Sequence, residues 1–348
     1  MNTQRKQRDC IDGLLLLDKP SGLTSNDALI RARRLFNARK AGHGGTLDPM
    51  ASGLLPVAFG EATKFAGDAL GADKVYLAEM TLGITTDTGD AEGSVLERLP
   101  VDADEQRVRD AAASFVGEIE QVPPMYSALK RDGRPLYEYA RAGVTVERAA
   151  RRVTIHRIEL IDFGAVPGAE AGAPGSLRAV LRVACSKGTY VRTLAEDIGR
   201  ALGCGAHLSA LRRERVGALS LARAVSLEQL EAMSPAQRLE CLSPVDSLLA
   251  GLPAVRLDEL HARRFLHGQR LRLPAGGALG GHAPAASPRG EPGEPDAPPA
   301  RTNGHHADPR VRVYLRDALL GIATLDGGLL VPQRLIGSAP EPAAAGAD

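Results

Sequence analysis

Ala41-Gly42-His43-Gly44-Gly45-Thr46-Leu47-Asp48-Pro49-Met50-Ala51-Ser52-Gly53 is the densest stretch of chemistry-bearing residues in the chain. Its four glycines let backbone approach a partner closely or take positive φ. Pro49 disfavours the α region for Asp48, so the carboxylate is presented from extended backbone on a loop. Immediately upstream, Arg31 to Lys40 holds five basic residues and no acidic one. One carboxylate in a glycine loop beside a basic helix suits an anionic substrate with a single acid placed for chemistry. On spacing alone, a turn in which Asp48 caps local N–H groups fits as well. The loop is not a P-loop, because G-x-x-x-x-G-K-[ST] does not occur.

Composition bounds what such a loop can serve. At roughly 150 residues per domain, 348 residues suggest two domains, and a 44% hydrophobic, 24% charged chain has ample material for a core. Lys and Arg number 43 against 42 Asp and Glu, a net charge of +1, which excludes a globally basic nucleic-acid coat but not a local basic face. With six Tyr, six Phe and no Trp, the position of each Tyr carries information. No apolar run approaches the roughly 18 residues of a membrane helix. Leu14 to Leu17 is cut off by Asp18-Lys19-Pro20 and is too short for a signal peptide. Cys10, Cys185, Cys204 and Cys241 are widely spread with no C-x-x-C pair, so they read as reduced thiols, not a disulfide frame or a zinc site. A cytoplasmic protein is expected.

The clearest break in the chain is 274–309, mostly Gly, Ala and Pro with one Leu (Leu279), which is expected to be a disordered insertion. The tail 338–348 has the same character. Around the insertion, Arg270 to Leu273, Val311 to Leu315 and Leu319 to Leu325 are strand-like. Gly327-Gly328 turns the last of these into Leu329 to Val331, and a helix over Asp258 to His267 precedes them. These pieces predict a small β-rich domain over 251–337. Residues 13–250 mix the two periods. Helices are expected over Ser25 to Asn37 with Ser25 as N-cap, Asp104 to Val116 closed by Gly117, Thr193 to Leu202 closed by Gly203, and from Ser226, where Gln229 completes a capping box. Tyr76, Ala78, Met80 and Leu82 alternate onto one strand face, as do Leu177, Ala179, Leu181, Val183 and Cys185. Without a regular βαβ rhythm this predicts an α+β domain with a mixed sheet, preceded by a flexible 1–12.

The ordered motifs resemble a known family. Asp18-Lys19-Pro20-Ser21-Gly22 and Gly42 to Gly53 are similar to the signature of the bacterial TruB-type tRNA pseudouridine synthases. Lys74-Val75-Tyr76, Gly83 with Thr86-Asp87-Thr88, Pro124 to Lys130, Leu136 to Arg141, Cys185 to Thr193, Gly203 to His207 and Leu211-Arg212-Arg213 continue the resemblance in the same order, from about Gly13 to Arg215. It implies a pseudouridine-synthase-like catalytic domain with a mixed sheet flanked by helices, plus a C-terminal PUA-like RNA-binding domain. It also implies isomerisation of uridine at tRNA position 55, in the T loop, by base flipping. No metal and no organic cofactor is implied, nor an obligate protein partner; a monomer is expected, and an additional tRNA-folding role is open.

Asp48 matches the family nucleophile, attacking either ribose C1′ or the base; the sequence does not choose between them. Tyr76 matches the residue that stacks on the target base, a contact contributing roughly 1–3 kcal/mol per base. Arg192 matches the arginine paired with the catalytic carboxylate, and an adjacent cation is expected to lower that carboxylate's pKa. Tyr190 and Leu211 match the walls of the base pocket. His43 matches the side chain that fills the space a flipped base leaves, offsetting part of a cost of a few kcal/mol. Lys19, with Pro20, is expected to brace the loop or touch substrate.

Three basic clusters could hold tRNA phosphates: Arg31/Arg33/Arg34/Arg39/Lys40, Arg148/Arg151/Arg152 and Arg212/Arg213/Arg215. Asp87, Asp90 and Glu92 lack EF-hand spacing and read as a solvated turn. Two other activities fit parts of the pattern, an RNA-binding module without catalysis and an N-glycoside hydrolase. Product mass separates the hydrolase from an isomerase, since only hydrolysis removes a base.

Overall fold

Leu14-Leu15-Leu16-Leu17 has no polar alternation because both faces of its strand are covered. In Gly13–Lys19, Leu15 and Leu17 pack with Ala28 and Ala32 of the helix Ser25–Leu35 and with Leu227 and Leu230 of Leu227–Ala232. Leu14 and Leu16 point the other way, onto Ala62 and Ala69. The period of two thus divides one run between two cores. The computed structural model describes residues 7–166, 168, 173–273 and 309–337. Within these, the stretch expected to be flexible, 1–12, is tied down from Gln7, whose carbonyl accepts from Asn37 Nδ2 at 3.0 Å. Asp9 N–H donates to Asn37 O and Asp9 O accepts from Arg39 N, both at 2.9 Å, and Ile11 packs on the core.

The chain divides into two units between Leu248 and Leu249. In the first, the main sheet runs in the order Val225–Ser226, Gly13–Lys19, Ser52–Phe59, Ala206–Val216, Lys74–Leu82, Leu177–Cys185, Arg151–Ala165, Gly117–Gln121. Val225–Ser226 with Gly13–Lys19, and Ala206–Val216 with Ser52–Phe59, pair in parallel; the other steps along this order are antiparallel. The sheet is therefore mixed, as the irregular element order requires. Alternation places Ala78, Met80 and Leu82 in one core with Leu181, Val183, Leu208 and Leu211. The helices Glu105–Ala113 and Val191–Ala201 cover that core through Val108, Ala112, Leu194 and Ile198.

Several local expectations shift by a few residues. Thr24, not Ser25, is the N-cap of Ser25–Leu35, accepting from Asp27 N–H. Gly117, expected to close a helix, instead opens the strand Gly117–Gln121 with φ +118°, and the helix ends earlier, at Ala113. Ser226 and Gln229 form the anticipated capping box, and Ser234 with Gln237 forms a second.

The second unit is a five-stranded sheet in the order Ala254–Leu257, Arg310–Leu315, Ala318–Asp326, Leu329–Leu335, Leu271–Arg272, with the helix Glu259–Leu266 packed through Ala262 and Phe265. Gly327 and Gly328 make its last hairpin with φ +53° and +79°, the positive pair that a twisted two-residue turn needs. The insertion expected at 274–309 lies outside the described residues apart from Pro309, and the tail 338–348 lies wholly outside them. Among the described residues no helix is long and apolar enough to cross a membrane.

Candidate active site

The glycine loop leaves the strand Ala41–His43 and enters Ser52–Phe59, and its backbone is fastened at nearly every residue. Gly44 N–H donates to Pro56 O at 2.8 Å. The buried Ser25 hydroxyl accepts from Leu47 N–H at 2.7 Å and donates to Leu47 O at 3.0 Å. Freed from capping, this side chain clamps both polar groups of the residue before Asp48. Pro49 O accepts from Gly22 N–H at 2.8 Å and, at 3.4 Å, from the ammonium of Lys19. That ammonium also donates to Pro20 O at 2.8 Å and Leu23 O at 2.6 Å. Lys19 is completely buried, and burial brings its pKa down to about 8, with Asp48 and Glu92 pulling upward and Arg213 downward. Of the two roles expected for it, bracing is the one these bonds perform.

Arg213, expected in a phosphate-binding cluster, is corrected by the structure: it is 1% exposed and points inward. Its Nε donates to Leu54 O at 2.8 Å, and its terminal nitrogens to Gly45 O at 3.2 Å and Thr46 O at 3.3 Å. Its neighbour Arg212 is half-buried in a 2.6 Å ion pair with Asp18. The main chain of Arg213 comes so near Gly53 that a Cβ there would lie 2.4 Å from Arg213 O, so this position, at φ +99°, requires glycine.

On this platform Asp48 meets Arg192 at 3.0 Å. Arg192 follows Tyr190 and Val191 into the helix Val191–Ala201, and its side chain is 5% exposed while that of Asp48 is 37% exposed. The guanidinium also donates to Tyr126 O at 2.6 Å and Thr88 O at 3.0 Å, and lies 3.4 Å from Asp90 Oδ2. Asp90 thus departs from the expected solvated turn. It is 3% exposed and its carboxylate accepts from the Thr88 hydroxyl at 2.6 Å. Among the described residues no group of three or more His, Cys, Asp or Glu side chains is arranged to hold a metal ion.

Arg192 lowers the Asp48 pKa as expected, but the net shift is upward. Burial raises it, and the opposing pull of Arg192, helped by Lys19, does not fully offset burial and the like charge of Asp90. The carboxylate thus has one side against a fixed cation and part of its surface open.

Tyr76 lies on Lys74–Leu82 in register with Val183 on one side and Arg213 on the other. Its half-buried ring packs on the cluster containing Leu47, Ala51, Ala78 and Leu211, with Met50 beside it. Burial, foremost, raises its pKa, with the nearby Arg213 opposing the rise and Asp48 adding to it. Leu211 is 8% exposed in the same cluster. Tyr190 caps Val191–Ala201 without a side-chain bond; instead Gln121, 2% exposed, accepts from its N–H at 3.0 Å and donates to its carbonyl at 3.3 Å. His43 is half-buried, and burial with Arg213 nearby lowers its pKa, so the ring is neutral. Among the described residues its buried Nδ1 has no hydrogen-bond partner.

The structure therefore joins Asp48 and Arg192 directly, Lys19 to the loop through Pro49 O, and Tyr76 and Leu211 through the packing beneath the loop. His43 and Tyr190 belong to adjoining segments. Ser25, Asp90, Gln121 and Arg213 were missed as parts of the site. For Arg213 a signal existed: it stands two residues after Leu211 on one strand, hence on the same face.

With that geometry in view, sequence comparison is decisive. The profile described as TruB family pseudouridylate synthase (N terminal domain) matches residues 33–191, and tRNA pseudouridylate synthase B C-terminal domain matches residues 192–250. The chain belongs to the TruB family of pseudouridylate synthases. It is an enzyme of that class. The chain is 56% identical to tRNA pseudouridine synthase B of Burkholderia mallei (strain ATCC 23344) over 333 residues, covering 95% of this chain and 96% of that one. It is 54% identical to tRNA pseudouridine synthase B of Ralstonia nicotianae (strain ATCC BAA-1114 / GMI1000), covering 96% and 97%. Among solved structures, a chain of a Cbf5-Nop10-Gar1 complex superposes with a TM-score of 0.64 at 26% identity, covering 93% of this chain and 84% of that one. The α+β fold of this TruB-family chain, a mixed sheet flanked by helices with a β-rich second unit, is thus a pseudouridine-synthase fold.

Proposed function

We propose that this chain converts uridine 55 in the T loop of tRNA to pseudouridine, with Asp48 as nucleophile on a flipped nucleotide. One observation carries the assignment of Asp48: its carboxylate is the partly open member of an otherwise buried ion pair, 3.0 Å from a cation that three further groups hold in place. Such a carboxylate is oriented without being enclosed. In the reaction the C1′–N1 bond breaks, the base turns and C1′–C5 forms; the C5 proton leaves and a proton is gained at N1. Atoms and mass are conserved.

Tyr76 offers an aromatic face for the uracil ring, with Leu211 and Tyr190 as walls that exclude water. Arg192 positions Asp48, Lys19 braces the loop, and the neutral ring of His43 stacks where the base has left the helix. Phosphates are held by the exposed Arg31, Arg34, Arg39 and Lys40. The second unit is a PUA-like RNA-binding domain. The enzyme works in the cytoplasm as a monomer, without metal, organic cofactor or obligate protein partner. The test is incubation with an unmodified tRNA transcript and mapping of pseudouridine at single-nucleotide resolution. A single modified site at position 55 with unchanged RNA mass supports this function, whereas release of free uracil indicates hydrolysis.

A further inference from the structure

We infer that Arg148 and Arg151 form a seat for the phosphodiester that joins the flipped uridine to its neighbour. The inference rests on the function proposed above. Strand alternation divides the cluster Arg148, Arg151 and Arg152. Arg151 opens the strand Arg151–Ala165 and shares a face with Ile155, which belongs to the core of Leu47, Ala51 and Leu211. Directly opposite Arg151 stands Gln121, whose side chain bonds both main-chain groups of Tyr190. Arg152 takes the other face. There its guanidinium lies 3.3 Å from Glu118 and 3.8 Å from Glu120, so its neighbours are carboxylates.

Arg148 is tied to the catalytic ion pair by a second route. The stretch before the strand is fastened where Val146 N–H donates to Met125 Sδ at 3.5 Å and Glu147 O accepts from Arg131 at 2.9 Å. Met125 adjoins Tyr126, whose carbonyl accepts from Arg192 at 2.6 Å, and Arg192 meets Asp48 at 3.0 Å. Two cations are therefore fastened, one through Met125 and one through Gln121, to the segments that hold Arg192.

Their charge indicates the ligand. Arg148 is half-buried, its Nε closed off from solvent and without an acceptor, while Arg151 is exposed. Among the described residues no carboxylate lies within ion-pair distance of either. A partly sequestered cation without a counter-ion is unfavourable until an anion meets it. Guanidinium forks match the oxygens of a phosphate in shape as well as charge. Arg151 also acts on Tyr190: burial, foremost, raises the pKa of that hydroxyl, and Arg151 opposes the rise. The phosphate so held adjoins the base that Tyr190 walls, and does not belong to a distant stem.

The experiment measures affinity for two ligated tRNAs, one with a neutral methylphosphonate in place of the phosphate on the 5′ side of uridine 55 and one with it on the 3′ side. Charged controls carry the same sugar substitutions. Wild type is compared with Arg148→Gln, Arg151→Gln and Arg152→Gln, with thermal unfolding in parallel. At about 0.1 M salt, losing one phosphate contact should weaken binding about five- to eightfold, from a log–log slope of roughly −0.7 to −0.9 per contact. Arg148→Gln and Arg151→Gln are expected to show that loss on the charged tRNAs, and Arg152→Gln none. On one of the two neutral tRNAs, wild type and both variants should bind alike. Wild-type affinity in either variant, an undiminished difference from wild type on both neutral tRNAs, or an equal loss in Arg152→Gln each overturn the inference. Should Arg148→Gln not fold, Arg151→Gln carries the comparison from its exposed position; failure of both to fold makes the pair structural and overturns it too. A wild type that forms no pseudouridine at position 55 overturns the functional reading instead.

Discussion

Arg192 and Asp48 stand 3.0 Å apart with unequal burial, the arginine 5% exposed and the aspartate 37%. The cation is the fixed member, tied to Asp90, Thr88 O and Tyr126 O, and the anion is the member that can meet a ligand. Substituting Arg192 by Lys keeps the charge and removes the planar fork. Turnover should fall by about a hundredfold or more, with tRNA affinity little changed. Rapid-quench kinetics beside a filter-binding isotherm decide it; an equal loss in both would point to an RNA-contacting arginine.

Ser25 is the second target. Removing its hydroxyl strips both polar groups of buried Leu47 of their partner, which costs about 1–3 kcal/mol for an unsatisfied group. Ser25→Ala should lower the unfolding free energy by that amount and slow turnover, since Leu47 adjoins Asp48. Denaturant unfolding without a change in midpoint would show that the clamp contributes nothing.

The pH dependence has two limbs with opposite meanings. Asp48 has its folded pKa raised by burial, so activity should increase with pH through a midpoint above the ordinary carboxylate value. Its contribution to stability has the reverse sign: present below the unfolded pKa and lost as pH rises through the folded one. Asp48→Asn is accordingly expected to be inactive and at least as stable as wild type at neutral pH. Lys19 falls to about 8, and its three carbonyls need three N–H donors, of which a neutral amine has two. Turnover should therefore decline above about pH 8. Between about 8 and 10.5 the unfolded chain holds the Lys19 proton that the folded one has released, so this group's contribution to stability grows. Flat activity between pH 7 and 9 would remove Lys19 from the loop's support.

Salt tests the electrostatic part. Binding to tRNA should weaken with rising salt, since each phosphate contact releases counter-ions and contributes roughly −0.7 to −0.9 to the log–log slope. Neutralising exposed Arg34 and Lys40 should reduce that slope, whereas Arg213, being enclosed, should leave it unchanged. A salt-independent affinity would contradict phosphate docking.

Much of this site could be read from the chain because its parts are local in sequence. Gly42 to Gly53 supplies loop and carboxylate together, and Tyr190 to Arg192 supplies a tyrosine and the cation together. The missed members share another property. Ser25 reaches Leu47 across 22 positions, Gln121 reaches Tyr190 across 69 and Arg213 reaches Gly45 across 168. Such contacts exist only after the sheet has formed, and nothing in the local composition marks which of Arg212 and Arg213 turns inward except the alternation of their strand. The net direction of the Asp48 shift was missed for a related reason. A motif names the neighbouring cation but not the depth at which the pair is buried. For the fold, capping and alternation located several helices and the strands Lys74–Leu82 and Leu177–Cys185 to within a few residues, while the other strands of the main sheet and its strand order, set by pairings such as Arg212 with Ser52, required the structure.

The claim on which the rest depends is that the Asp48 carboxylate performs the chemistry. Asp48→Ala, mixed in excess with a radiolabelled unmodified tRNA transcript, should bind it within about threefold of the wild-type affinity, because the carboxylate touches no phosphate, and should form no pseudouridine at position 55 over many wild-type half-times. Pseudouridine appearing at that position with the variant would contradict the account.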